Sequence, residues 1–250
     1  MSSASIASDR TESAPIVVDL KKSARRPLRV CYLIDQLRTG GTETQLLSLI
    51  RNLDRTRIEP ILCLLDGRDP ASQALEPSDC PVHRLEIRSL LRPRTMFRLY
   101  QFAQQLRGWK IDVLQVHFPD STYFGVAAAR LAGVRAIVRT RRDLFYWVTP
   151  AHRRWGRHID HFYNRRFVHA LVANSKSVRD QLLRDEHPAP ARIEIIPNGV
   201  DVASFERVFG AEAPNFPRNK QSLTVAAVSM LRPEKRMDLL IRAARKVVDQ

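Results

Sequence analysis

Apolar runs of strand length alternate with stretches of helical period along most of this chain, and the alternation predicts its architecture. Residues 28–34 form an apolar run of strand length, broken by Arg29 alone and followed shortly by the turn signal Gly40-Gly41. Thr42-Glu43-Thr44-Gln45 reads as a capping box opening a helix, in which Thr42 accepts from the backbone N–H of Gln45 while Gln45 reaches back to Thr42. Behind it, Leu46, Leu47, Leu49, Ile50 and Leu53 recur with helical period and predict a face that packs on a sheet. Residues 58–65 and 82–87 predict a second and a third strand. Residues 94–109 predict an amphipathic helix with Met96, Leu99, Ala103 and Leu106 on one side. Further strands are expected at 113–116, 136–139, 170–173 and 193–196. Helices are expected at 124–132 and at 175–184, the latter opened by a good N-cap, with a basic, aromatic helical region between 139 and 170.

Strands that alternate with crossover helices imply an α/β fold: a Rossmann-like parallel sheet covered by helices on both faces. Residues 1–27 are too polar to fold alone and read as a disordered tail. Residues 28–205 form one lobe, and 206–222, which carry Gly, Pro and Asn, read as a linker. Residues 223–228 and 234–248 then predict a fresh strand and helix, the start of a second Rossmann-like domain truncated at residue 250.

Composition narrows the class. Apolar residues make up 44%, enough to bury a core. The tail has no apolar stretch of signal-peptide type, and no window approaches the ~18 apolar residues of a spanning helix, so a cytoplasmic location is expected. Cys31, Cys63 and Cys80 lie far apart with no C-x-x-C spacing, so neither a disulfide framework nor a metal site is expected. The net charge of +15 predicts an anionic partner, with nucleic acid, acidic lipid and phosphorylated sugars all qualifying. Much of the excess is local: nine Arg lie between Arg135 and Phe167, against only Asp143 and Asp160.

Ligands of doubly wound sheets bind beyond the carboxyl ends of the strands, which singles out three places. The Gly40-Gly41 pair lets a backbone approach a ligand, and the following helix N-terminus offers free N–H groups to an anion; an ordinary tight turn is the plainer reading. The segment has neither G-x-G-x-x-G nor a P-loop, which counts against a dehydrogenase or nucleotide hydrolase. His117 ends the 113–116 strand, where imidazole can donate to a phosphate or hydroxyl, exchange a proton near neutral pH, or simply bond to a loop. Arg139-Thr140-Arg141-Arg142-Asp143 ends another strand, and Arg forks suit phosphate oxygens. Residues 145–167 mix Arg153, Arg154, Arg157, Arg165 and Arg166 with Trp147, Trp155, Phe162 and Tyr163. That composition suits a membrane interface or a stacking surface, and most plainly a helix with an aromatic inner and a charged outer face.

The motifs in succession resemble one family. Gly40-Gly41-Thr42-Glu43, the 112–117 strand end, Ala173-Asn174-Ser175-Lys176-Ser177, Ile196-Pro197-Asn198-Gly199-Val200-Asp201 with Phe205, and Val228-Ser229-Met230-Leu231-Arg232-Pro233-Glu234-Lys235 follow the pattern of glycosyltransferase family 4 in order and spacing. The resemblance implies a retaining GT-B glycosyltransferase with two Rossmann-like lobes, the first taking the acceptor and the second a nucleotide-sugar donor. It implies that Gly40 and Gly41 lie beside the donor diphosphate and sugar, that His117 approaches the transferred sugar, and that Lys235 contacts the diphosphate. Ser229-Met230 stands where relatives often carry Gly-Arg, so Arg232 is the substitute cationic contact, and Arg236 stands where Gly commonly follows the Lys. Glu43, Arg142 and Asp143 are assigned to the acceptor side or rim. No metal or cofactor is implied beyond the nucleotide sugar. The expected partners are that donor, a sugar or lipid-linked acceptor, and an anionic membrane surface at the inner face of the membrane. Nucleic acid is not expected, since no nucleic-acid motif is present, although a basic binding module for nucleic acid or anionic membrane is the alternative reading. The glutamate-bearing donor motif would fall beyond residue 250. The chain is therefore expected to be incomplete by itself, with a second lobe supplied elsewhere, or to be an inactive remnant.

Overall fold

The computed structural model describes residues 26–142, 150–186, 188, 192–202, 225–229, 231 and 235–248. They divide into two units, the first containing nearly everything up to Gly199 and the second the residues from Val200 onward.

In the first unit, β1 (Leu28–Ile34), β2 (Ile58–Leu64), β3 (Val82–Arg84), β4 (Val113–Val116), β5 (Ala136–Arg141), β6 (Ala170–Ala173) and β7 (Ile193–Ile195) form one parallel sheet in the order β3-β2-β1-β4-β5-β6-β7. Six helices join them: α1 (Gly41–Arg51), α2 (Pro70–Gln73), α3 (Pro93–Gly108), α4 (Pro119–Ala132), α5 (Pro150–Arg166) and α6 (Lys176–Glu186). The α/β class and the helix-covered parallel sheet are therefore as the pattern implies.

The two faces of the sheet are read directly from alternate residues of β1. Cys31 and Leu33 join Phe102, Leu106, Phe124 and Val126 of α3 and α4 in one apolar layer. Val30, Tyr32 and Ile34 join Leu46 and Ile50 of α1 in the other. Both faces are buried, which is why β1 from Val30 to Ile34 is a continuous apolar run and not an alternating one. Cys31 and Cys63 meet inside this sheet with their sulfurs 3.5 Å apart, and all three thiols are free and buried.

Several boundaries move for identifiable reasons. Leu85 and Ile87 still donate to Leu64 and Leu65, but Glu86 between them sits at φ 55°, so the strand expected to reach residue 87 stops at Arg84. Helix α4 starts at Pro119 and not at 124, because Pro fits the first helical position, where no N–H is needed. On α3 the buried side is Thr95, Phe102, Ala103 and Leu106, while Met96, expected to pack, is 69% exposed. The amino end of the sheet is tied by Asp112, which accepts from Arg26 at 2.8 and 3.1 Å, from the N–H of Arg29 at 3.0 Å and from Arg135 at 2.5 Å. Residues 1–25 of the expected tail lie outside the described residues, and Arg26 is held at this end.

Helix α4 lies unusually close to the sheet. A Cβ on Gly125 would come within 2.5 Å of Leu33 Cδ2 and 3.0 Å of Val116 Cγ1, both in the core. Gly125→Val is expected to cost about 2–3 kcal/mol through overpacking, read from urea unfolding; an unchanged midpoint would show that the helix can lift without penalty.

In the second unit, the segment expected to be a strand forms none at 225–229, and among the described residues no strand lies beside it to pair with. Helix α7 (Met237–Val248) follows, within the helix expected there, with Leu239, Ile241 and Val247 exposed. The linker at 206–222 lies outside the described residues.

Candidate functional site

The strand order reverses direction between β1 and β4: the chain goes from β1 outward to β2 and β3, then returns through α3 to start outward again at β4. At such a switch point the connections leave to opposite faces and open a crevice at the carboxyl edge of the sheet. Gly40 and Gly41 follow β1 there, His117 follows β4, and Leu33 is in register with Val116, so all three lie on that one edge.

Gly40 is extended, at φ −150° and ψ 160°, and its carbonyl accepts from Thr44 N–H to start α1. Helix α1 therefore begins at Gly41, ahead of Thr42. That overturns the expected capping box, because Thr42 already sits in the first turn and the N-cap residue is Gly40, which has no side chain to cap with. The Gln45 amide does other work. It donates to the Gly199 carbonyl at 2.8 Å and accepts from Gly199 N–H at 2.9 Å, tying the segment after β7 to the first turn of α1. Glu43 is buried, with its carboxylate turned back so that a Cβ on Gly40 would meet its Oε2 at 2.6 Å. A Cβ on Gly41 would meet nothing within 4 Å. Gly40 is thus constrained by Glu43, and Gly41 opens onto free space.

His117 is 4% exposed, and neither ring nitrogen has a hydrogen-bond partner among the described residues. Burial, reinforced by the nearby Arg142 charge, pushes its pKa down to about 3. The ring is therefore a neutral imidazole at physiological pH, and the proton-exchange reading of His117 gives way to that of a neutral hydrogen-bonding group. Its turn is held by an arrangement absent from the sequence reading. Phe118 occupies the N-cap of α4 and has no acceptor to offer. Asp35, just past the end of β1, supplies one by accepting from the N–H of Ser121 at 2.8 Å, while Ser121 Oγ accepts from the N–H of Phe118 at 3.1 Å. Burial raises the Asp35 pKa to about 6; the Ser121 hydrogen bonds oppose this and the Asp120 and Glu43 charges add to it. An acid directly after an apolar strand run is the signal that could have found it.

Arg142 follows β5 on the same edge. It donates from Nη1 to Asn198 Oδ1 at 2.7 Å, and its carbonyl accepts from Asn174 Nδ2 at 3.2 Å. Arg142 Nε and Asn174 Oδ1 are buried without a hydrogen-bond partner among the described residues, as His117 is. Buried polar atoms are nearly always satisfied, so the orphaned atoms after β4, β5 and β6 make this edge the candidate place for polar groups of a ligand, although Arg139 Nε inside β5 is orphaned as well.

The other arginines of that run are not on the rim. Arg139 and Arg141 are almost fully buried, and both pair with Glu186 at the end of α6, Arg139 at 2.8 Å. Arg139 also faces Asp160 at 3.1 Å and donates to Asn164 at 3.0 Å, while Tyr123 donates to Asp160 at 3.0 Å. Reading Arg139 and Arg141 as phosphate forks is corrected: their charges are spent inside the fold on acids contributed by α5 and α6. Helix α5 accordingly turns Asp160 and Asn164 inward and leaves Phe162 55% exposed, so its inner face is polar as well as aromatic. Asp143, Trp147 and Arg232 lie outside the described residues, as do the side chains of Arg153, Arg154, Trp155 and Arg157. Lys235 belongs to the second unit, where it is exposed just ahead of α7.

Known proteins share this fold. The model for Glycosyltransferase Family 4 matches residues 39–204. A stretch of 78 residues is 37% identical to the D-inositol 3-phosphate glycosyltransferase of Mycobacteroides abscessus, covering 31% of this chain and 18% of that protein. Anabaena HepE, solved in complex with UDP and glucose, superposes with a TM-score of 0.63 at 20% identity, over 88% of this chain and 58% of its own. The apo form of the lipopolysaccharide outer core galactosyltransferase WaaB superposes with a TM-score of 0.53 at 15% identity, over 69% of this chain and 46% of its own. These structural likenesses are likenesses of fold, and the chain spans little more than half the length of HepE and less of the others. The family match covers most of the first unit, including the glycine turn, His117 and the Asn198-Gly199 segment, and on that ground the chain belongs to Glycosyltransferase Family 4.

Proposed function

We propose that this chain is the acceptor-side lobe of a glycosyltransferase that moves a sugar from a nucleotide-sugar donor to an acceptor with retention of configuration. The observation that carries the reading is the set of orphaned buried polar atoms on His117, Arg142 and Asn174, beside a glycine whose Cα faces open space, at the switch point of the sheet. HepE was solved with UDP and glucose and with UDP-glucose, which supports a donor of that kind here.

In this reading the Gly41 backbone lets the donor's sugar and diphosphate come close, as no other residue type would. His117, held neutral by burial, hydrogen-bonds a hydroxyl of the transferred sugar and cannot compete for its proton. Arg142 gives the rim a fixed positive charge. The departing diphosphate carries the developing charge of the reaction, and Lys235 with Arg232 is assigned to it. Preorganised cations there stabilise the transition state without reorganising as the bond breaks. The acceptor enters over the carboxyl edge, past Glu43, and Asp143 is assigned to the same side by the family pattern alone.

The test is nucleotide release from UDP-glucose by this chain completed to the length of its relatives. His117→Ala is expected to lower turnover at least tenfold, the loss of one hydrogen bond made in the transition state. Equal turnover would remove His117 from the chemistry, and no release from any nucleotide sugar offered would sink the transferase reading.

A further inference from the structure

After β7 the chain turns back over the sheet it has just left. β7 is the outermost strand on its side, four strand spacings from β1, or roughly 19 Å. Four residues past Ile195, Gly199 is already bonded to the helix that follows β1: the Gln45 amide holds both its carbonyl and its N–H. Four extended residues reach about 14 Å at most, so the two meet over the strands in between. Arg142, at the end of β5, meets the segment on the way and donates to Asn198 Oδ1 at 2.7 Å. Residues 196–199 therefore form a strap across the carboxyl edge.

The strap is lightly held. All four of its residues are exposed. Ile196 N–H still donates to the Ala173 carbonyl at 2.8 Å, and Pro197 has no N–H to give. From there on the bonds to Asn198 and Gly199 come from the side chains of Arg142 and Gln45. A Cβ on Gly199 would meet nothing within 4 Å, so that side is open. Hydrogen bonds that water can replace are worth little net, and such a strap lifts at modest cost.

What lies at the edge below is closed. Both ring nitrogens of His117 are buried and unpartnered among the described residues, as are Arg142 Nε and Asn174 Oδ1. Arg142 links the two levels, with one end on Asn198 and its charge acting on the His117 ring. A ring that solvent does not reach meets a sugar hydroxyl only after something moves.

We propose that residues 196–199 are a gate over His117 and Asn174, with Gln45 as its latch, and that a ligand reaches those groups when the clamp on Gly199 lets go. Gln45 is then a positioning residue that touches no reacting atom. The gate rests on the reading of His117 as a ligand contact, but its test does not use turnover.

The full chain is treated with diethyl pyrocarbonate near neutral pH, and acylation is followed at each histidine by mass spectrometry. The reagent needs a neutral imidazole nitrogen that it can reach, so its rate at His117 reads how often the gate is open. In the wild type His117 is expected to react more slowly than His169. Gln45→Ala is expected to speed acylation of His117 roughly tenfold, the net worth of two water-exposed hydrogen bonds. His169, whose Nδ1 accepts from the N–H of Ile137 at 3.0 Å, should keep its rate. Gln45→Glu retains an acceptor for Gly199 N–H and loses the donor to its carbonyl, so it should fall between. An unchanged His117 rate in Gln45→Ala overturns the gate. So does fast acylation of His117 in the wild type, or a parallel rise at His169, which would mean that the whole sheet had loosened. A chain completed to the length of its relatives that transfers no sugar, yet whose His117 answers to Gln45, would sink the transfer reading and leave the gate standing. Transfer with a His117 indifferent to Gln45 would do the opposite.

Discussion

Glu186→Ala is expected to destabilise the first unit by about 3–5 kcal/mol, enough to leave the chain partly unfolded at growth temperature. The side chain lies at the end of α6, buried, and its two oxygens answer Arg139 and Arg141 from β5. Removing the acid takes from the interior the carboxylate that both guanidinium groups share, while Asp160 stays 3.1 Å from Arg139. A lone buried charge is far costlier than a pair is favourable, which sets the sign and the size. Glu186→Gln keeps the shape and two acceptor or donor positions, so it should fall between wild type and Ala. Replacing Arg139, Arg141, Asp160 and Glu186 together by apolar residues of similar volume should cost less than Glu186→Ala alone, because no uncompensated charge of the network then remains. Urea unfolding followed by circular dichroism reads all three. A loss below about 1 kcal/mol for Glu186→Ala would show that water reaches these arginines and that the network is not what joins α6 to the sheet. The consequence reaches the site, since β5 and β6 carry Arg142 and Asn174 to the rim.

That network also shows what could be read from the chain and what could not. Strands, helices and the strand-end positions of Gly40, Gly41 and His117 follow from local periodicity, because a parallel sheet buried on both faces writes itself as uninterrupted apolar runs. Arg139 and Arg141 defeat the same logic. Their partner, Glu186, lies 45 residues or more further along, and nothing within a window of helix or strand length distinguishes an arginine paired in the core from one solvated on a rim. Gln45 failed for the same reason: a short-range pattern offered Thr42 as its partner, while the fold offered Gly199, 154 residues away. Helical spacing places Met96 inward. The spacing is sound, but the stripe it belongs to faces out, and only the packing of Phe102 and Leu106 against α4 and the sheet settles which of two apolar faces is buried. Asp35 was legible in principle as an acid ending a strand, yet its task depends on Phe118 being unable to cap α4, a relation between two strand ends that only topology brings together.

Asp35 and His117 lie at adjacent strand ends and should bend the stability curve in opposite directions as pH falls. His117 has a pKa of about 3 when folded, against about 6.5 for an unperturbed imidazole. Its depressed value means that stability is fully present above about pH 6.5 and drains away as the unfolded chain alone takes up the proton. The loss amounts to roughly 4 kcal/mol by the time pH approaches 3. Asp35 has its pKa raised to about 6 by burial, so the folded protein binds a proton that the unfolded chain refuses, and stability rises as pH falls from about 6 towards 4. Across that interval the two contributions offset each other. His117→Gln should unmask the Asp35 contribution, so that its stability relative to wild type improves steadily between pH 6 and 4. Asp35→Asn should do the reverse, falling away from wild type over the same interval while also losing a charge-assisted bond to the N–H of Ser121. Comparing each variant with wild type by urea unfolding at pH 7, 6, 5 and 4 cancels the titration of all other groups. Curves for His117→Gln and wild type that run parallel from pH 6.5 to 4 would mean that the ring protonates as readily folded as unfolded. The neutral imidazole on which the proposed sugar contact rests would then be lost with it.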